Sequence, residues 1–341
     1  MQLNHVLLVL SFIGSCGTLA TKSNPVFSSV ATVNNPRLLR ETKLTYNEER
    51  MVDTFLKSMR TSFWLETGKS DEYVKKTLEL DNLSEAALKS APNYQYYEHF
   101  LFTREGRMLD EWLLKGIPTR EVWTRYNLEG VLVAQLKDND GFKTYLRYAT
   151  MEDDKIFKLK SQDKDVTIDY SATPGELNAK VDMWVSLERP SWYVKKMLNL
   201  DRRSYDAFRK SANYKLYEKY EYGIEGRKLE KWLLAGIPPK LIWDTYKLDE
   251  LSPANFRAYQ MYIRYGIMHD DEVFKLWKSG KEIKPELGGT SEMEVKVKIW
   301  ASLKRPDQYV EELLNLDRNA LKTSPNYEFY QKFLRGTAAT E

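Results

Sequence analysis

Cysteine is almost missing from these 341 residues: the single one is Cys16, and histidine is nearly as rare, at His5, His99 and His269. One thiol excludes a disulfide framework and a cysteine-built zinc site, and so few imidazoles leave little for nucleophile–base chemistry. Charge of one sign is also lacking. Lys and Arg number 52 against 49 Asp and Glu, a net +3, and the two signs interleave, so there is no electrostatic footprint for nucleic acid or an anionic membrane. Beyond residue 20 no apolar run is long enough to span a bilayer, and no glycine loop of phosphate-binding type follows a strand pattern. What is abundant is aromatic: 22 Tyr, 13 Phe and 9 Trp.

The apolar run Val6 to Ile13 is followed by the small residues Gly14, Ser15, Gly17, Thr18 and Ala20. This pattern predicts a secretory signal peptide over 1–20, cleaved after Ala20, although the segment before the run carries no Lys or Arg. The run is too short for a stable membrane anchor. Cleavage would remove Cys16. Two explanations suit a thiol-free exported chain: large helical cores that need no bridges, or a working place that is reducing. Residues 21–55, rich at first in Ser, Thr, Asn and Pro without helical periodicity, read as a disordered leader. Within it stand Arg37-Leu38-Leu39-Arg40 and Glu48-Glu49-Arg50.

The rest of the chain repeats. A Trp is followed after ten residues by Val or Ile, after four more by an apolar residue or Tyr, and after two more by Leu. The frame fits Trp64/Val74/Leu78/Leu80, Trp112/Val122/Tyr126/Leu128, Trp184/Val194/Leu198/Leu200, Trp232/Ile242/Tyr246/Leu248 and Trp300/Val310/Leu314/Leu316. Leu229, Trp232 and Leu233 share a helical face, and Gly236 and Pro238 then break the helix and start another. Each copy ends in an aromatic stripe at i, i+3 and i+6: Tyr94/Tyr97/Phe100, Phe142/Tyr145/Tyr148, Tyr214/Tyr217/Tyr220, Tyr259/Tyr262/Tyr265 and Tyr327/Tyr330/Phe333. Such spacing predicts an all-α array of small helical bundles closed by aromatic contacts, stacked into an elongated rod. Its core residues are Trp64, Tyr97, Trp112, Tyr145, Trp184, Tyr217, Trp232, Tyr262, Trp300 and Tyr330. Truncating Trp232 to Ala is expected to cost ~3–5 kcal/mol by cavity formation.

A longer period overlies the short one. Trp64 to Trp184 and Trp112 to Trp232 are both 120 residues, while Trp184 to Trp300 is 116. The copies occupy 56–103, 104–150, 175–222, 223–268 and 291–335, with a tail over 336–341. Segments 151–174 and 269–290 each open on an acid pair, Asp153-Asp154 and Asp270-Asp271, before apolar residues. They read as short connecting helices, with the acids near the positive end of the dipole, then a polar loop. A metal site on these acids finds no ligand cluster nearby.

Catalysis has little to stand on, since His269-Asp270-Asp271 is adjacency without a triad and His99 lies inside an aromatic helix, where a packing role suits it. Trp184-Val-Ser-Leu187 and Trp300-Ala-Ser-Leu303 match an aromatic-x-x-aliphatic motif for strand addition to ubiquitin-like proteins, but both Trp residues sit in the core frame.

The order of signal peptide, Arg37-Leu38-Leu39-Arg40, Glu48-Glu49-Arg50 and Trp/Tyr helical repeats resembles the RxLR effectors of oomycete plant pathogens, specifically members built from tandem WY (LWY-type) units. The resemblance covers the whole chain. It implies that the two leader motifs direct delivery into host plant cells, to cytoplasm or nucleus. It also implies that the five units, without cofactor or metal, bind host proteins and suppress immunity and defence-associated cell death, some arrays by recruiting a host serine/threonine phosphatase through its scaffold subunit. Two other classes stand beside this one: an enzyme acting on a host substrate, and a structural or adhesive protein of the pathogen surface.

Overall fold

The structure, a computed structural model, describes residues 59–250, 252–285, 287–317 and 321–338. The expected signal peptide of 1–20, the whole expected leader of 21–55, and its motif residues Arg37, Leu38, Leu39, Arg40, Glu48, Glu49 and Arg50 lie outside the described residues. The chain divides into two compact parts, Met1–Arg104 and Glu105–Glu341. Among the described residues every regular element is helical.

In the first part, α1 (59–66), α2 (Asp71–Thr77), α3 (Glu85–Ser90) and the start of α4 (Tyr94–Lys115) enclose Trp64, Val74, Leu78, Leu80, Tyr97 and Phe100. The second part continues through α5 (Thr119–Arg125), α6 (Val133–Leu136), α7 (Asp140–Ser161), α8 (Pro174–Ser186), α9 (Ser191–Met197), α10 (Tyr205–Arg209) and α11 (Tyr214–Leu234). Then come α12 (Pro239–Thr245), α13 (Phe256–Lys278), α14 (Thr290–Ser302), α15 (Asp307–Leu313) and α16 (Tyr327–Ala338).

Backbone chemistry explains the frame around each Trp. The amide five residues on donates to the Trp carbonyl: Lys69 to Trp64 at 2.9 Å, and Ile117 to Trp112, Arg189 to Trp184, Ile237 to Trp232 and Arg305 to Trp300 at 3.0 Å each. The residue between, Gly68, Gly116, Glu188, Gly236 or Lys304, has positive φ. This is the closure that satisfies orphan carbonyls at a helix C-terminus. Ser70, Pro118, Pro190, Pro238 and Pro306 then occupy the N-cap of the next helix, which is seven residues long every time. A second closure ends that helix. Leu80, Leu128, Leu200, Leu248 and Leu316 donate to carbonyls five residues back, after Glu79, Asn127, Asn199, Lys247 and Asn315 at positive φ. The Trp-to-Leu spacing is thus two helix terminations in series, each followed by a buried apolar anchor or a half-buried one.

The stripes behave alike in all five places: the first ring is half-buried, the second and third are buried. Where the third ring is Tyr, its hydroxyl donates into the first closure. Tyr148 bonds the Ile117 carbonyl, Tyr220 that of Arg189, and Tyr265 that of Ile237. Burial pushes the Tyr148 and Tyr220 phenols up to about 12.

Three expectations need correcting. First, Trp112 and Trp232 are only half-buried, set edge-on against Tyr148 and Tyr265 at 5.9 Å. The enclosed indoles there are Trp123 and Trp243, which face Tyr145 at 4.8 Å and Tyr262 at 4.9 Å and donate to Glu129 at 3.0 Å and Asp249 at 2.9 Å. Second, 151–174 and 269–290 do not begin with helices of their own: their apolar stretches are the second halves of α7 and α13. Third, Asp153 and Asp270 therefore lie deep inside long helices, away from the positive dipole end, and both are buried. Likewise the boundaries at 103/104 and 222/223 fall inside α4 and α11. Apolar periodicity continues across these points, and the glycines beside them, Gly106 and Gly223, are tolerated inside the helices.

Candidate interaction surface and its buried acid clusters

Asp153 shows what the acid pairs do. Its Oδ1 accepts from Trp184 Nε1 at 2.8 Å and from the Tyr193 hydroxyl at 2.7 Å, while Oδ2 accepts from Arg189 Nε at 2.7 Å. Arg189 also reaches exposed Asp154 and lies 4.4 Å over the Phe157 ring. The later copy repeats this: Asp270 accepts from Tyr309 at 2.8 Å and Arg305 at 2.6 Å, Arg305 bonds Asp271, and its guanidinium lies 4.3 Å over Phe274. Charge-assisted bonds and a cation–π contact thus fasten the end of one long helix to the Trp turn that follows.

Burial raises the Asp153 carboxyl above the ordinary carboxylate range, against the pull of Arg189 and of its three hydrogen-bond donors. Burial also works against the Arg189 charge, but Asp153 and Asp154 outweigh it, and the guanidinium holds its proton more tightly than usual. For Tyr193, burial and then Asp153 lift the phenol far above its normal range. A second pair of clusters sits at the N-termini of α8 and α14. Glu176 accepts from Tyr145 at 3.0 Å and meets Lys180 at 3.3 Å; Glu292 accepts from Tyr262 at 3.1 Å and meets Lys296 at 3.0 Å. Lys180 also donates to buried Thr119 at 2.6 Å. Buried charges kept in pairs with hydrogen bonds are fasteners of packing.

Of the predicted core residues Trp64, Tyr97, Tyr145, Trp184, Tyr217, Tyr262, Trp300 and Tyr330 are buried, while Trp112 and Trp232 pack half-buried against the core; the burial of Trp184 and Trp300 closes the two aromatic-x-x-aliphatic motifs to a strand-adding partner. His99 and His269 are half-buried, His269 lying against the Tyr265 ring at 6.0 Å. Among the described residues no group of three or more His, Cys, Asp or Glu is placed to hold a metal, and no helix is long and apolar enough to cross a membrane. Repeat spacing alone could have exposed the fasteners, since Glu176/Glu292, Lys180/Lys296, Arg189/Arg305 and Tyr193/Tyr309 are all 116 residues apart.

What faces water is therefore the candidate surface. Leu114 and Leu234, equivalent positions two residues after Trp112 and Trp232, are almost wholly exposed, and Tyr205, Tyr222, Leu132 and Leu241 are exposed as well. Large apolar side chains held outward on rigid helices can serve as anchors for a protein partner.

These features define an all-α protein whose Trp turns, each closed by backbone and most fastened by buried tyrosines or acids, recur along the chain. A "Secreted RxLR effector protein" of Phytophthora infestans is 32% identical to this chain over 237 residues, covering 67% of it and 98% of that relative. The "RxLR effector protein Avr1" of the same organism is 26% identical over 159 residues, 45% of this chain and 73% of that relative. The chain belongs to the RxLR effector family. No family model matches it, and no solved structure does.

Proposed function

We propose that this protein is a secreted effector, delivered into plant cells through the signal peptide of 1–20 and the leader motifs Arg37–Arg40 and Glu48–Arg50. There, five tandem WY units bind host proteins and suppress immunity and defence-associated cell death. The observation that carries the array reading is the double helix closure found at the same offset from Trp64, Trp112, Trp184, Trp232 and Trp300. Family membership supports secretion and action on a host. The buried carboxylates support binding over catalysis, because the side chains that fill them are Tyr, Trp, Arg and Lys engaged in packing. Recruitment of a host serine/threonine phosphatase through its scaffold subunit is the finer form of the reading.

The test is affinity purification of the chain lacking residues 1–20 from plant tissue undergoing an immune response. A host protein retained in stoichiometric amount, together with a weakened response, is the expected result. If the retained protein is not a phosphatase subunit, the finer form falls. An unchanged response with nothing retained removes the binding reading itself.

A further inference from the structure

The first Trp copy exposes a face that the third and fifth copies cover with the chain's own helices. On α8 and α14 the positions Ala179 and Met183, and Val295 and Ile299, are at most 7% exposed. The equivalent residues on α1 are Met59 and Phe63, exposed at 55% and 56%. Tyr193 and Tyr309 are fully buried under α7 and α13, whereas the equivalent Tyr73 is 45% exposed. Cations hold the same places in all three copies: Arg60 matches Lys180 and Lys296, and Lys69 matches Arg189 and Arg305. The later four cations meet carboxylates, at Glu176, Glu292, Asp153 and Asp270. Lys69 instead lies 4.7 Å over the Tyr73 ring.

The covering helices share one chemistry. Asp153-Asp154-Lys-Ile156-Phe157 and Asp270-Asp271-Glu-Val273-Phe274 put an acid pair ahead of an aliphatic and a Phe. The first acid takes the Tyr hydroxyl and the Arg, and the Phe ring sits against both: Phe157 is 5.1 Å from Tyr193, and Phe274 is 5.1 Å from Tyr309. At the corresponding distance ahead of the first copy the chain reads Val33-Asn34-Asn35-Pro36-Arg37, with neither acids nor Phe. The last helix, α16, has no acid pair either, so a second copy has no free helix of this kind to offer there.

We propose that the face formed by Met59, Arg60, Phe63, Lys69 and Tyr73 docks a helix of a partner protein that carries two adjacent acidic residues followed by an aliphatic and a Phe, three and four residues after the first acid. Apolar anchors at i and i+4 give the groove its grip, and the cations choose an acidic partner. This deepens the host-binding reading by assigning one face and one partner chemistry.

The probe is a fluorescent, lactam-braced peptide with the sequence of residues 148–161, titrated into the full chain and followed by anisotropy. Saturable binding is expected, weakened at least about tenfold by Lys69→Glu or Tyr73→Ala in the chain and by Asp153→Asn with Asp154→Asn in the peptide. Phe256→Ala, at an exposed ring elsewhere, should leave binding unchanged. Both exposed-face variants should keep the parent's melting temperature, which separates lost docking from lost folding. Absence of saturable binding, or binding indifferent to Lys69→Glu, overturns the proposal. So does binding that emerges only after residues 1–50 are removed, because the leader then fills the face, and so does a dimer abolished by Phe63→Glu, because a second copy fills it. If host proteins are still retained in plant tissue when the peptide fails, this face is refuted and the broader reading is not.

Discussion

Trp243 and Trp232 belong to the same copy, eleven residues apart, and truncating each to Ala should have unequal cost. Trp243 is enclosed by a cluster that includes Leu229, Ile242, Leu248, Met261, Tyr262, Tyr265, Val295 and Ile299, with Tyr259 a further 6.4 Å neighbour. Its removal leaves a cavity bounded by four helices, for which large-to-small substitutions cost ~3–5 kcal/mol. The lost bond to Asp249 adds little, because that carboxylate is exposed and water replaces the indole. Trp232 keeps one face in solvent, with Lys228 4.5 Å over its ring, so only part of its area is withdrawn from water. About half the loss, ~1.5–2.5 kcal/mol, follows from area and the exposed cation–π contact. For a part of 237 residues these losses correspond to melting shifts of roughly 6–20 °C and roughly 3–10 °C. Urea unfolding of residues 1–341 and the two variants, followed by far-ultraviolet circular dichroism, ranks them by midpoint if the slope is unchanged. A Trp232→Ala loss equal to or greater than that of Trp243→Ala would refute the assignment of the enclosed ring.

Three further outcomes are expected. Asp153→Ala should cost about 3 kcal/mol or more, since Arg189 stays buried without its carboxylate, whereas Asp154→Ala at the exposed end should cost under about 1 kcal/mol; equal midpoints for the two variants would discredit the fastener. Burial raises the Glu152 carboxyl, with Lys180 opposing. The folded chain then holds that proton to higher pH than the unfolded chain, so the contribution to stability is complete below the unfolded value and lost as pH rises through the folded one. Glu152→Gln should therefore melt higher than the parent at pH ~7, the gap closing toward pH ~4; a lower melting point at both would mean the carboxylate is a needed acceptor. Gly223→Ala on α11 would place its Cβ 2.7 Å from Val185 Cγ2 of α8. The gain of about 1 kcal/mol in helix propensity should be outweighed by overpacking of roughly 1–3 kcal/mol, read as a lowered denaturant midpoint; an unchanged or raised midpoint would show that the two helices part at little cost.

Much was legible along the chain because helix termination is local. A positive-φ residue, a cap and a buried Leu lie within a few positions of one another, so Trp232, Gly236, Pro238 and Leu248 mark two closures without knowledge of any distant neighbour. The alternating hydrophobic faces and aromatic stripes are equally short-ranged. Burial is not. Whether Trp232 or Trp243 is enclosed depends on α14 arriving with Val295 and Ile299, and whether Asp153 caps a helix or fills a cluster depends on Trp184, Arg189 and Tyr193, at least thirty-one residues away. The open face of the first copy is of the same kind. Met59, Phe63 and Tyr73 have nearly the pattern of their buried counterparts, and what differs is the helix that lies across them. The one-dimensional order determined where helices stop and which residues share a side; only packing decided which of those sides are closed to water, since enclosure requires atoms from elements distant in the chain.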